Sequence, residues 1–326
     1  MHSDNLSILK FAPIFKSVIW GGTRIAQFKN LPSQGDHVGE SWELSPMKGN
    51  ESVVSEGPLK GHTLPELMST CGREIMGARL FEKYGTHFPL LIKFIDSTDD
   101  LSIQVHPDDA LAEKRHDSLG KTEMWYSVMP AEGAYLYAGF KQQITPDRFR
   151  EMVADNTIVS VLGKYYPKQG DMFFLPAGRV HSIGRGNFVL EIQEASDITY
   201  RIYDYDRRDA QGNPRQLHIE ESVDAINYAD TDMEVSHFAP ETNVETVMEK
   251  CEFFTTTLIE VKGEVALDLK ARDSFSVIIA TRGDAVLTDN EGRVTELRQG
   301  ETVLVPSTIA EVKIKADDAE IVTTYI

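Results

Sequence analysis

The opening run L-K-F-A-P-I-F-K-S-V-I-W over 9–20 interleaves apolar and polar positions and predicts extended chain up to the Gly21-Gly22 pair. V-G-E-S-W-E-L at 38–44 predicts another strand, on which Glu40 and Glu43 are either solvated carboxylates or candidate ligands. At Thr63 the period changes. T-L-P-E is a capping box, and the apolar spacing behind it predicts a helix to about residue 84. F-P-L-L-I-K-F-I-D then reads as a buried strand with Lys93 in its middle, where a lysine either snorkels to the surface or faces a site. Thr145-Pro146 starts a helix, an N-cap followed by proline in the first turn, which is expected to run to about 162. Strands over 170–208 and a helix over 219–229 follow.

The stretch 231–243 is polar and acidic with Pro240, and it reads as a linker. Beyond it the chain is almost entirely short β-rich runs. The expected division is therefore a domain over 1–236 and an all-β domain over 237–326.

Chemistry-bearing residues gather in L-S-I-Q-V-H-P-D-D and G-K-T-E-M-W-Y. Gln104 and His106 are two residues apart on a strand-like run, so both point to one face. Glu123 opens the next strand-like run with Lys121 two positions before it. His181 supplies a further donor within G-D-M-F-F-L-P-A-G-R-V-H, where Gly170, Pro176, Gly178 and His181 follow G-x5-P-x-G-x2-H. That spacing resembles the second metal-binding motif of the cupins, which implies a mainly β, double-stranded β-helix (jelly-roll) domain with a few peripheral helices. G-E-T-V-L-V-P repeats the Gly-to-Pro spacing at Gly300 and Pro306, and the same offset puts Glu311 in the place of His181. It implies a second, degenerate cupin-like β domain without metal, the alternative being a chance turn.

Five ordered motifs carry a closer resemblance. S-I-Q-V-H-P-D-D, G-K-T-E, P-A-G-R-V-H-S-I-G, E-I-Q-E-A-S-D and T-Y-R-I-Y-D-Y-D-R resemble the type I phosphomannose isomerases in their compact form, over about 13–218. The pattern departs from general cupins in having Q-x-H for H-x-H, as the isomerases do, and in placing Asn187 two positions late. The resemblance implies one zinc per chain held by Gln104, His106, Glu123 and His181, with a phosphorylated hexose interconverted between aldose and ketose through an enediol. It implies Lys121 as the base, since nearby positive charge favours an uncharged amine, with Glu191 as rival. Arg201 is expected to bind phosphate or the enediolate, Asp197 to orient it or relay a proton, and Lys93 and Ser102 to contact substrate.

Composition narrows the partners. A formal charge of −18 repels nucleic acid and anionic membrane, and it requires a local positive well for an anionic sugar. Cys71 and Cys251 form no C-x-x-C pattern, so neither a disulfide scaffold nor a thiolate metal site is expected. Without a leader pattern or a membrane-length apolar run, the chain reads as cytoplasmic, with a monomer as the default. Gly120-Lys121-Thr122 is no phosphate loop, because Arg115 stands where that motif needs glycine. Two other classes remain open, a metal-dependent cupin oxygenase and a non-catalytic sugar-binding double cupin. The donor set also accepts metals other than zinc.

Overall fold

The computed structural model describes residues 6–208, 211–231 and 233–326. Its strands sort into three sheets. A seven-stranded sheet runs in the order Ser236–His237, Asp171–Leu175, Glu123–Ser127, Phe188–Glu194, Leu90–Asp96, Val38–Leu44, Ile14–Gly22. A five-stranded sheet runs Tyr200–Tyr203, Ile103–Val105, His181–Ile183, Leu136–Phe140, Leu162–Tyr165. Trp20, Ile95, Trp125, Phe173 and Val189 from the first sheet and Leu136 and Ile183 from the second form one buried cluster. The two sheets therefore close on each other as the expected mainly β jelly roll.

The third sheet takes its strands from both ends of the chain. Thr255–Asp268 and Glu311–Tyr325 are its long central pair, and Ser276–Arg282 and Thr302–Val305 extend it. Leu9–Ala12 follows, with Leu9 opposite Leu304 and Lys10 opposite Val303.

The last pairing corrects the expected single strand over 9–20 and ties the start of the chain to the C-terminal sheet. Pro13 has no N–H to give a ladder, so the run splits there. Leu9–Ala12 joins the C-terminal half, while Ile14 pairs with Trp42 in the first barrel. The expected linker contributes too, because Ser236–His237 adds to the edge strand Asp171–Leu175.

All three expected helices are shorter than the sequence suggests. Thr63 caps Leu64–Met76 with the reciprocal Glu66 contact, but the helix ends at Gly77, whose φ of 88° favours glycine, and Ala78–Tyr84 is a separate helix. Pro146–Ala154 stops before Asn156, at φ 56°, and a 3-10 turn Ile158–Val161 leads into the strand from Leu162. The third, Ile219–Ala225, ends at Ile226 rather than 229.

The central strand Phe188–Glu194 links core to site. Phe188, Leu190 and Ile192 enter a core shared with Phe254, Phe275 and Val322 of the C-terminal half, which leaves Val189, Glu191 and Gln193 on the barrel side. A one-residue slip would exchange these faces, so burial fixes the register. Phe188 is fully buried, with ring centroids 4.8 Å from Phe28 and 6.0 Å from Phe94. Phe188→Ala is expected to cost ~3–5 kcal/mol. Calorimetry should show the midpoint of the whole chain falling, because this core belongs to both halves; a shift confined to one of two separated transitions would contradict the shared core.

Candidate active site

Strand register assembles the site. His181 and Arg201 both lie opposite Gln104 in the five-stranded sheet. In the facing sheet Glu191 is opposite Lys93 and Trp125, and Gln193 is opposite Glu123. Side chains from two sheets thus meet at one end of the barrel.

His106 Nδ1 donates to the Ile198 carbonyl and His181 Nδ1 to the Arg179 carbonyl, each at 2.8 Å. A carbonyl only accepts, so each ring carries its proton on Nδ1 and turns a lone pair on Nε2 inward. The two Nε2 atoms are 3.1 Å apart. Glu123 Oε1 lies 3.3 Å from the His181 Nε2, and Oε2 lies 3.6 Å from the His106 Nε2. Lys121 Nζ approaches Oε2 to 2.8 Å as an ion pair, but neither oxygen of the fully buried Glu123 has a well-aligned hydrogen-bond donor.

The two Glu123 oxygens, buried without an aligned donor beside the inward Nε2 lone pairs, are costly, and a divalent cation among them removes the cost. The ligand atoms of His106, Glu123 and His181 lie within 4.8 Å of one another, and nitrogen and carboxylate donors suit a first-row metal. Gln104 Nε2 is 3.4 Å from the His181 Nε2, and Ser102 Oγ is 3.5 Å from Gln104 Oε1. A half-turn of that amide exchanges its ends and presents the oxygen as a further donor atom to a cation. The residues present therefore fit the metal that the motif implies.

Electrostatics agree. Burial, together with the charge of Lys121, holds the His106 ring well below its ordinary range, and burial takes His181 down to about 3, so both are neutral ligands at neutral pH. Burial, reinforced by the charge of Glu191, outweighs Lys121 and pushes Glu123 up to about 7. A cation opposes that rise by favouring the carboxylate.

Beside the cluster opens a cleft of about 350 Å³ lined by Gln104 and Lys121, whereas His106, Glu123 and His181 are buried and do not line it. Glu40, Lys93, Ser102, Glu191, Asp197 and Arg201 also line it. Glu43, the other carboxylate on its strand, is not in the cleft wall but pairs with Lys29 at 2.8 Å in the interior. Lys93 does not snorkel. It is buried, 3.1 Å from Glu191 and 5.0 Å from the Trp42 ring.

Burial opposes the charge on Glu191, yet Lys93, Lys121 and the Trp125 Nε1–H outweigh it and hold the carboxyl at about 2. Because that is below the usual 4.5, the ionised group contributes stability above 4.5 that is lost as pH falls through about 2. Lys93→Met should leave a buried uncompensated carboxylate and cost ~3–5 kcal/mol by denaturant melts at neutral pH. The double change Lys93→Met, Glu191→Gln is expected to recover much of that loss, and no recovery would show that the pairing is not the cause.

Arg201 reaches the cleft differently from expectation. Its Nη1 donates to the Gln216 carbonyl at 2.9 Å, and its buried Nε has no partner among the described residues. Among the described residues no ion pair joins it to Asp197, which is exposed at the mouth, so Gln216 and not Asp197 orients the guanidinium. The sequence reading missed Arg215 and His218, which also line the cleft. His218 Nδ1 accepts the Arg201 backbone N–H at 3.1 Å. Hydrogen bonds with the Arg201 backbone bring it there, and no local spacing signals it.

The sequence matches known proteins along nearly its full length. Residues 8–128 match the catalytic domain of phosphomannose isomerase type I, and residues 243–326 match the cupin domain of mannose-6-phosphate isomerase. Mannose-6-phosphate isomerase ManA of Bacillus subtilis is 35% identical over 311 residues, spanning 94% of this chain and 95% of that protein. Mannose-6-phosphate isomerase of Streptococcus mutans is 34% identical over 314 residues, 94% of each. The crystal structure of the Bacillus subtilis mannose 6-phosphate isomerase superposes with a TM-score of 0.84 at 30% identity, covering 98% of this chain and 100% of that one. A putative mannosephosphate isomerase from Archaeoglobus fulgidus shares the fold, at 22% identity and a TM-score of 0.81. Identity of this extent, with both profiles matched in order, means that the chain belongs to the type I phosphomannose isomerase family.

Proposed function

We propose that this chain interconverts mannose 6-phosphate and fructose 6-phosphate through an enediol, with one zinc bound by Gln104, His106, Glu123 and His181. The observation that carries the reading is Lys121 Nζ, 3.1 Å from His106 Nε2 and 2.8 Å from Glu123 Oε2, at the floor of a cleft that also exposes Lys93 and Arg201. When bound, a divalent cation supplies Lewis-acid polarisation of the sugar oxygens.

Lys121 takes the proton from carbon 2 of the aldose and returns it to carbon 1. Glu191 suits that role less well, because a carboxylate held at about 2 is a weak base near neutral pH. It serves to hold Lys93 in the cleft wall instead. Arg201, with an unpartnered Nε, offers a fixed positive donor to the phosphate or to the enediolate oxygen. Ser102 sits beside the Gln104 amide and Lys93 beside Glu191, where each reaches a sugar hydroxyl. Asp197, at the solvent end, relays protons. These cationic groups form the local positive well that an anionic substrate needs in a chain of net charge −18.

The same reading places the metal in the barrel that ends near 236 and leaves the 237–326 barrel without one. Glu311, at the position corresponding to His181, is exposed and pairs with Asp268. It also carries the expectation of a cytoplasmic monomer, and among the described residues no helix is long and apolar enough to cross a membrane. A coupled assay supplying mannose 6-phosphate and detecting fructose 6-phosphate, with elemental analysis of the same sample, tests the proposal. Zinc-loaded protein that binds the sugar phosphate without turning it over would leave a binding module. Iron with oxygen uptake would point to an oxygenase.

A further inference from the structure

Lys121 lies outside the strand that carries Glu123. The ladder of Glu123–Ser127 begins at Glu123, opposite Leu175 and Gln193, so no sheet pairing fixes the turn just before it. That turn is held by side chains and loops instead. Gly120 N–H donates to Asp109 Oδ1 at 2.7 Å, and Thr122 N–H donates to Glu194 Oε2 at 2.7 Å. Between them Lys121 N–H donates to the Pro107 carbonyl at 3.1 Å, and Glu194 N–H returns to the Thr122 carbonyl at 3.1 Å. The turn is also pressed against the start of the helix Asp109–His116. A Cβ on Gly120 would lie 2.6 Å from the Asp109 nitrogen.

Glu194 is buried yet does not line the cleft, so the proposed chemistry does not use it directly. We propose that Glu194, with Asp109, is a positioning residue for Lys121: the two neighbouring carboxyl groups hold the 120–122 turn at Thr122 and Gly120 and set where Nζ sits beside the donor cluster. A lysine side chain has four rotatable bonds, so its tip is only as well placed as the backbone that carries it. Displacing a reacting group by 1 Å costs about 100-fold in rate, which is why such a grip matters. Burial, with the adjacent Asp109 carboxylate, pushes the Glu194 carboxyl up to about 8 against the Thr122 N–H. At neutral pH it is an uncharged acid, one oxygen accepting from Thr122 and a proton turned to Asp109. A glutamine can imitate that arrangement.

The inference rests on the reading of Lys121 as the group that moves the proton. Its test uses the full-length, metal-loaded protein with mannose 6-phosphate, in the parental and Lys121→Met backgrounds. Glu194→Ala is expected to lower kcat about 10–100-fold while KM changes less than about twofold and cation content holds. Glu194→Gln should restore kcat to within about threefold of the parent, since it keeps the acceptor oxygen. In the Lys121→Met background Glu194→Ala should cost nothing further, the non-additivity expected of groups acting in series. Asp109→Ala, at the exposed start of a helix, supplies a milder variant with the same expected split should Glu194→Ala fold poorly.

Equal losses in both backgrounds, a rise in KM at constant kcat, or parental turnover in Glu194→Ala would overturn the inference. The two readings fail separately. Parental turnover in Lys121→Met removes the base assignment, whereas an inactive Lys121→Met beside fully active Glu194→Ala and Asp109→Ala removes only the grip.

Discussion

Glu123→Gln is expected to leave a folded protein that has lost its cation and its turnover together. The substitution keeps the shape of a fully buried side chain and removes the one anionic donor of the cluster, whose oxygens have no aligned hydrogen-bond donor of their own. Even groups that only orient a ligand cost 10–100-fold in metal affinity, so losing this carboxylate should cost more than about 100-fold. The metal dependence of stability separates this from simple damage. Without added metal the variant should melt somewhat earlier than the parent, because buried Lys121 loses its ion-pair partner 2.8 Å away. With metal in excess the parent should gain about 4 kcal/mol at a thousand times Kd, and the variant almost nothing. His181→Ala should behave alike in metal content. Stoichiometric metal in both purified variants, measured by elemental analysis, would mean the donors have been misassigned.

Lys121→Met should show the opposite separation, with metal retained and chemistry lost. Lys121 is not one of the atoms that would hold a cation; its Nζ lies 3.1 Å from the His106 Nε2 and 2.8 Å from Glu123. Removing a general base slows a reaction by ~10²–10⁴-fold, and kcat is expected to fall within that range. Exchange of the carbon 2 proton with solvent should fall with it, because both need the same proton transfer. Undiminished exchange in a metal-replete Lys121→Met protein would take the role of base from Lys121 and return it to Glu191.

Much of the site was legible from short spacings, because their physics is local. Two residues on a strand share a face, so Gln104 and His106 were paired before any fold was known. Alternation along 188–194 put Glu191 and Gln193 on one face, as the shared core confirms from the other side. The Thr63 cap holds as read, since a capping box needs only four residues. Helix ends were less legible, for they depend on backbone conformation at single positions such as Gly77 and Asn156.

By itself the sequence determined the strand-rich class, the first donor motif and the family resemblance, each of which is written in residues within one or two turns or pleats of each other. Only the tertiary structure decided which distant pieces meet. Hydrogen bonding to a sheet edge is indifferent to sequence distance, so Leu9 could join Leu304 across the chain. The tautomers of His106 and His181 are set by carbonyls of Ile198 and Arg179, and the partner of Lys93 by the opposed strand carrying Glu191. Orientation of Arg201 by Gln216, and the hold of Glu194 on the turn before Glu123, follow from contacts that no local period encodes. Side-chain identity sets what an atom can do, whereas its proton, charge and direction come from neighbours that folding supplies.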